Sequence, residues 1–268
     1  MKYSIGLVAI LVALWGVVNA QNDSLKASPG NQEFGNSQTN AANRIRGMFS
    51  LGLETGYTLN YLITNISSLT DTEYQPIGGF SVAIPVAYAL TDWCSLYSDP
   101  NLTKKNYEYE RTGSFQGVNE TYTNTYLQLP FMARFQYGGK KLKGFVNPGF
   151  YGGYWLSGRV KGTMPNPLNP VTTGSTSGTS IFDGLNPYSF NEKYAFNSTK
   201  DNRWEFGWIL GAGASYQLNS TFQLFVEGRI TQSLTDQQKQ YMTNQVQRYN
   251  QTIGISAGCL VNLKALSK

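Results

Sequence analysis

Glu54, Arg134, Arg159, Arg203, Glu205, Glu227 and Arg229 all fall on the polar side of runs in which apolar and polar residues alternate. Acids and bases gathered on such faces could relay protons or ions through an interior. They could instead neutralise one another as a salt-bridge network that fills it. A closed sheet of eight strands has just enough interior to be packed with side chains, which favours the network. Catalysis has little to work with. The chain contains no histidine, which removes Ser-His and Asp-His mechanisms and the commonest transition-metal ligand. Its two cysteines, Cys94 and Cys259, cannot build a four-thiolate zinc site. No P-loop occurs, and Gly211-Ala212-Gly213 lies within an alternating run, where glycine saves space inside a sheet. Asp71 with Glu73, and Glu108 with Glu110, read as solvated loop acids. No catalytic residue, metal site or cofactor is expected, and the chain reads as a non-enzyme.

Eight alternating segments must position these charges. They run about Phe49–Asn60, Gly79–Leu90, Trp93 toward Tyr109, Tyr122–Tyr137, Lys143–Val160, Arg203–Leu218, Thr221–Ser233 and Gln247–Leu263. A period of two gives each strand two unlike faces. In the fourth, Leu127, Leu129, Phe131, Ala133 and Phe135 oppose Gln128, Met132, Arg134 and Gln136. The connections alternate long and short. Ser67–Pro76, Gly113–Thr121, Lys161–Asn202 and Thr235–Val246 are long; Thr91-Asp92, Gly138–Leu142 and Asn219-Ser220 are short. A transmembrane β-barrel has this rhythm, with short periplasmic turns and long external loops. The bulkier apolar faces suit lipid, and the smaller glycine-bearing faces suit a cramped interior. The expectation is an all-β, eight-stranded, antiparallel up-and-down transmembrane barrel. Pro85, Pro100, Pro130 and Pro148 each remove a ladder hydrogen bond, and bulges are expected there. Cys94 and Cys259 sit on strands too far apart in such a ring for a disulfide.

The ends and composition agree with export. Lys2, an apolar run from Ile5 to Val18 and the triplet Val18-Asn19-Ala20 make a secretory signal over residues 1–20, cut after Ala20. Residues 21–46 are polar and read as a flexible periplasmic lead; residues 47–268 form the barrel domain. The net charge of +5 falls to +4 without Lys2, and no basic block stands out, so no nucleic-acid partner is expected. Mean hydropathy is only −0.31, which is compatible with a membrane barrel because half of every strand faces inward. The 18 Tyr, 14 Phe and 5 Trp are enough to furnish interfacial girdles.

With the strands laid out, Ala89-Leu90-Thr91-Asp92-Trp93, Tyr126-Leu127-Gln128-Leu129-Pro130-Phe131, Phe145-Val146-Asn147-Pro148-Gly149-Phe150-Tyr151-Gly152-Gly153-Tyr154, Phe206-Gly207-Trp208-Ile209-Leu210-Gly211-Ala212-Gly213 and Phe225-Val226-Glu227-Gly228-Arg229 follow in order. Together they resemble the PorT-like outer-membrane β-barrel family of Gram-negative bacteria. Two departures stand out: Asp99 is shorter than the acid expected there, and Ala265-Leu266-Ser267-Lys268 lacks a terminal aromatic. The resemblance implies an eight-stranded outer-membrane barrel, with outer-membrane lipid and envelope or secretion-machinery proteins as partners. It also implies a possible part in type IX protein secretion. A small pore or transporter, and a surface ligand-binding barrel, are the alternatives.

Overall fold

In a computed structural model, residues 47–65, 71–170 and 180–263 are described. The signal segment, the lead, the central part of the longest loop and the C-terminal residues lie outside them. Twelve strands form one antiparallel sheet: β1 (Phe49–Thr64), β2 (Thr72–Ala83), β3 (Val86–Ala89), β4 (Cys94–Ser98), β5 (Asn101–Lys104), β6 (Asn106–Arg111), β7 (Asn119–Gly138), β8 (Leu142–Pro170), β9 (Leu185–Lys193), β10 (Trp204–Gln217), β11 (Phe222–Ser233) and β12 (Arg248–Asn262). The expected count was eight. The difference arises because the second and third expected strands are cut into pieces, and because the longest loop holds a strand of its own.

Two cuts fall at prolines. Pro85 separates β2 from β3, and Pro100 separates β4 from β5. The ring nitrogen cannot donate to the ladder, so regular pairing stops there. The register does not slip. Glu54 pairs with Ala83 and Leu51 with Val86, so β1 runs past the first gap in step. Tyr97 pairs with Met132 and Asn101 with Gln128, so β7 runs past the second. Pro130 lies in β7 opposite that second gap, and Pro148 pairs with Leu210 inside an unbroken ladder. The bulges expected at the prolines are therefore absent. Register shifts occur elsewhere. Along β8 one extra residue, Leu156, stands between Trp155, opposite Tyr126, and Ser157, opposite Thr125. In β2, four steps from Ile77 to Ser81 face three steps from Asn106 back to Thr103.

Pairing runs from β1 through β2 and β3, then β4, β5 and β6, then β7, β8, β10, β11 and β12. β12 pairs along its length with β1. β9 pairs only with the far end of β8, so the stretch expected as a loop over 161–202 contains a hairpin. The three short turns and both described chain ends gather at one end of the sheet, and the hairpin stands at the other.

The two faces differ as the alternation requires. Leu53, Tyr57, Phe80, Phe131, Phe150, Phe206, Val226 and Ile255 lie on the outer face and are more than half exposed. The inner face carries a small apolar cluster, in which Tyr97, Met132, Phe145, Tyr151, Ile209, Phe225 and Leu260 pack together. Most of the other buried inward side chains are polar, including Asn60, Asp99, Lys105, Asn147 and Glu227. A sheet whose bulky apolar side chains face outward and whose polar side chains are buried has the inverse of a soluble core. Cys94 and Cys259 are both free.

Candidate functional site

The inner face carries two groups of charges. In the first, Arg229 of β11 is the hub. Its Nη2 lies 2.5 Å from Asp99 and 3.8 Å from Glu54, and its Nε bonds Glu227 at 2.7 Å. Glu227 also accepts from Asn147 at 2.8 Å and lies 3.5 Å from Arg134. Arg134 in turn donates to Asn147 at 3.0 Å, and its guanidinium lies 3.7 Å from the ring centre of Tyr97 and 4.2 Å from that of Phe145. In the second group, Lys105 pairs with Glu205, which also accepts from Tyr151 at 2.8 Å and Asn250 at 2.7 Å. Asn250 accepts from Asn60, and Asn60 accepts from Thr252. The Lys105 ammonium lies 5.0 Å from the ring of Tyr126 and 5.2 Å from that of Tyr151.

These bonds cross the interior. Asp99 lies in the gap between β4 and β5, and Arg229 lies on β11. Between them along the sheet come β7, β8 and β10 on one side, and β12, β1 and the β2–β3 pair on the other. An ion pair between walls that far apart spans the lumen. Arg134 to Glu227 joins β7 to β11, and Lys105 to Glu205 joins the end of β5 to β10. A cavity of about 50 Å³ remains between the two groups, lined among others by Glu54, Thr58, Gln128, Tyr151, Arg229 and Thr231. It has room for ordered water, which would serve Gln128 Nε2 and Thr231 Oγ1, both buried without a protein partner.

The hairpin end is closed by rings. Tyr126 stacks on Trp155 at 5.9 Å; Tyr194 and Phe196, from the segment after β9, cover Trp155 at 5.1 and 4.9 Å. Tyr194 donates to Asp201 at 2.9 Å, and burial together with that bond holds its phenol well above the ordinary tyrosine range.

Of the residues expected in the interior network, Glu54, Arg134, Glu205, Glu227 and Arg229 come together there. Arg159 and Arg203 do not. The extra residue Leu156 swaps the faces of β8, so Arg159 is exposed and bonds Asn191 at 3.0 Å. Arg203 precedes the first paired residue of β10 and donates to the carbonyls of Trp155 and Leu156 beside the bulge. Its guanidinium stacks on Phe196 at 4.1 Å and Tyr154 at 4.5 Å. Asp99 and Lys105 were not among the expected set, although each carries a full ion pair. Outward Leu96 and Leu102 would have located them, since the same alternation sends Asp99, Asn101, Thr103 and Lys105 inward.

Chemically, Glu54, Asp99, Glu205 and Glu227 each lie beside a cation. Among the described residues, no group of three or more His, Cys, Asp or Glu side chains could hold a metal ion. The arrangement ties β11 to the β4–β5 gap and to β7, and β10 to the segment after β5.

An all-antiparallel sheet with an apolar exterior, a polar cross-braced interior and short turns gathered at one end is the build of an outer-membrane barrel. The chain belongs to the outer membrane protein beta-barrel domain family, whose sequence model matches residues 20–239. It is therefore a protein of the outer membrane, embedded in its lipid. No curated protein matches it. Solved structures similar to it include two outer-membrane proteins and a surface protein. The outer membrane protease OmpT from Escherichia coli is 9% identical (TM-score 0.46), covering 81% of this chain and 95% of its own. OprG from Pseudomonas aeruginosa is 8% identical (TM-score 0.42), covering 81% and 96%. Neisserial surface protein A is 13% identical (TM-score 0.39), covering 80% and 96%. The family assignment rests on the sequence model alone.

Proposed function

We propose that this chain is exported with its signal removed after Ala20 and crosses the outer membrane as a closed barrel of eight staves. β2 with β3 form one stave, β4 to β6 another, and β9 stands outside the ring. The protein acts without catalysis, as a scaffold that meets other envelope proteins through its outer loops and hairpin. The observation that carries this reading is the cross-braced lumen: Arg229–Asp99, Arg134–Glu227 and Lys105–Glu205 fill the space a pore would need. The lack of histidine supports a non-catalytic role. With the interior filled, binding falls to the loops that the rigid barrel presents. The β8–β9 hairpin offers exposed Met164, Leu168 and Tyr188 for such contacts.

The resemblance to the PorT-like family narrows envelope contact to type IX protein secretion. A strain lacking the gene is expected to lose a defined set of secreted proteins, restored on complementation; the check is mass spectrometry of the culture supernatant. An unchanged profile would sink the secretion role and leave a surface-contact barrel. A small pore is the second reading, favoured by the 50 Å³ cavity between the two charge groups.

A further inference from the structure

The short-turn end of the barrel is not filled. A cavity of about 320 Å³ opens there, bounded by the β7–β8 and β10–β11 turns and by the first and last residues of the sheet. Its charged lining is of one sign. Lys140 and Lys141 stand on the turn, Lys143 is the second residue of β8, and no Asp or Glu among the described residues lines the space; Arg134, also in the wall, already faces Glu227. Lys105, Arg134 and Arg229 each face a carboxylate, whereas Lys140, Lys141 and Lys143 make no ion pair among the described residues. Gln136 and Gln223 supply amide groups beside the lysines. A recess with several cations and no acid attracts anions and concentrates them. Its size suits a small ligand group rather than a folded partner.

We propose that this recess binds a phosphate-bearing anion on the periplasmic side of the membrane. Lys140, Lys141 and Lys143 would supply the charge, and the Gln amides the neutral hydrogen bonds. The side rests on the orientation given under Proposed function; the binding itself does not. A free phosphate compound and the headgroup of an inner-leaflet phospholipid both carry the required chemistry.

The test uses the full-length barrel in uncharged detergent, titrated calorimetrically with inorganic pyrophosphate. Saturable one-site binding is expected, weakening as salt is raised because the lysines are exposed. It should fall at least tenfold in a K140Q/K141Q/K143Q variant whose gel mobility shift on boiling is unchanged. Absence of saturable binding, or equal affinity in the triple variant, overturns the site. Binding of an oligo-aspartate peptide in place of pyrophosphate overturns it in favour of a protein ligand. In nanodiscs, competition by phosphatidylglycerol supports the site with a headgroup as its source; binding undiminished relative to phosphatidylcholine supports a free compound. A Ser220→Cys variant, made with Cys94 and Cys259 replaced by Ala, reads the side separately. Labelling by an impermeant maleimide only after the outer membrane is opened is expected, whereas labelling of intact cells overturns the periplasmic assignment and leaves the site itself standing.

Discussion

Arg229→Met is expected to destabilise the barrel by about 3–5 kcal/mol, the range for removing one partner of a buried ion pair. Methionine keeps much of the volume but withdraws the charge that Asp99, Glu54 and Glu227 share. Three carboxylates then face one another in a mostly buried space, with Arg134 nearby. The loss is read from urea unfolding of the refolded barrel, followed by tryptophan fluorescence or by the boiled-versus-unboiled gel shift. A second substitution separates charge from packing. Asp99→Asn in the Arg229→Met background removes one stranded charge, so it should restore part of the loss, whereas alone it should destabilise. Arg159→Met is the control, because Arg159 is exposed and its change should stay within about 0.5 kcal/mol. Equal losses for Arg229→Met and Arg159→Met would refute the interior hub.

Gly213→Val is expected to cost about 3 kcal/mol or more, at or beyond the usual range for overpacking a filled interior. A Cβ at Gly213 would collide with the carbonyl oxygen of Val226 and stand 2.7 Å from the Phe145 ring. Neither can retreat easily. The carbonyl belongs to the β10–β11 ladder, where Gly213 pairs with Glu227, and the ring packs against Phe225 and under the Arg134 guanidinium. The neighbouring Gly211 shows the same device for charge: a Cβ there would run into the Glu227 carboxylate. These glycines are where large inward side chains from β8 and β11 lodge. Gly139, in a turn with only the Leu142 carbonyl near, gives the contrast. Its replacement by alanine should leave the urea midpoint within experimental error, and an equal shift for Gly139→Ala and Gly213→Val would contradict this reading of the β10 glycines.

Much of the fold is legible in the sequence because alternation survives in the membrane-crossing part of each strand. Leu127 to Phe135 against Gln128 to Gln136 is enough to place β7 and its faces. The strand ends on the hairpin side are less readable. There both faces meet water, so the apolar marker disappears, and strands such as β9 read as loop. Single-residue bulges are the second obstacle. Nothing about Leu156-Ser157 marks an extra residue, yet it turns Arg159 outward and Gly158 inward. The prolines mislead in the opposite sense: they interrupt hydrogen bonding at Pro85 and Pro100 while the register runs through. The interior network was legible where a strand was read to its end, as with Glu227 and Arg229. Lys105 is harder to read, because the stretch after Asp99 is polar on both faces apart from Leu102. The identity of a partner has no comparable signature, since loop contacts impose no periodicity.

A lumen braced shut passes no ions. Single-channel recording of the refolded protein in planar bilayers tests it most directly. With ion pairs across the lumen and rings stacked over Trp155, the current should stay at the bilayer baseline at neutral pH and moderate voltage. Discrete, stable conductance steps from the wild-type protein would contradict the braced lumen and favour the pore reading instead.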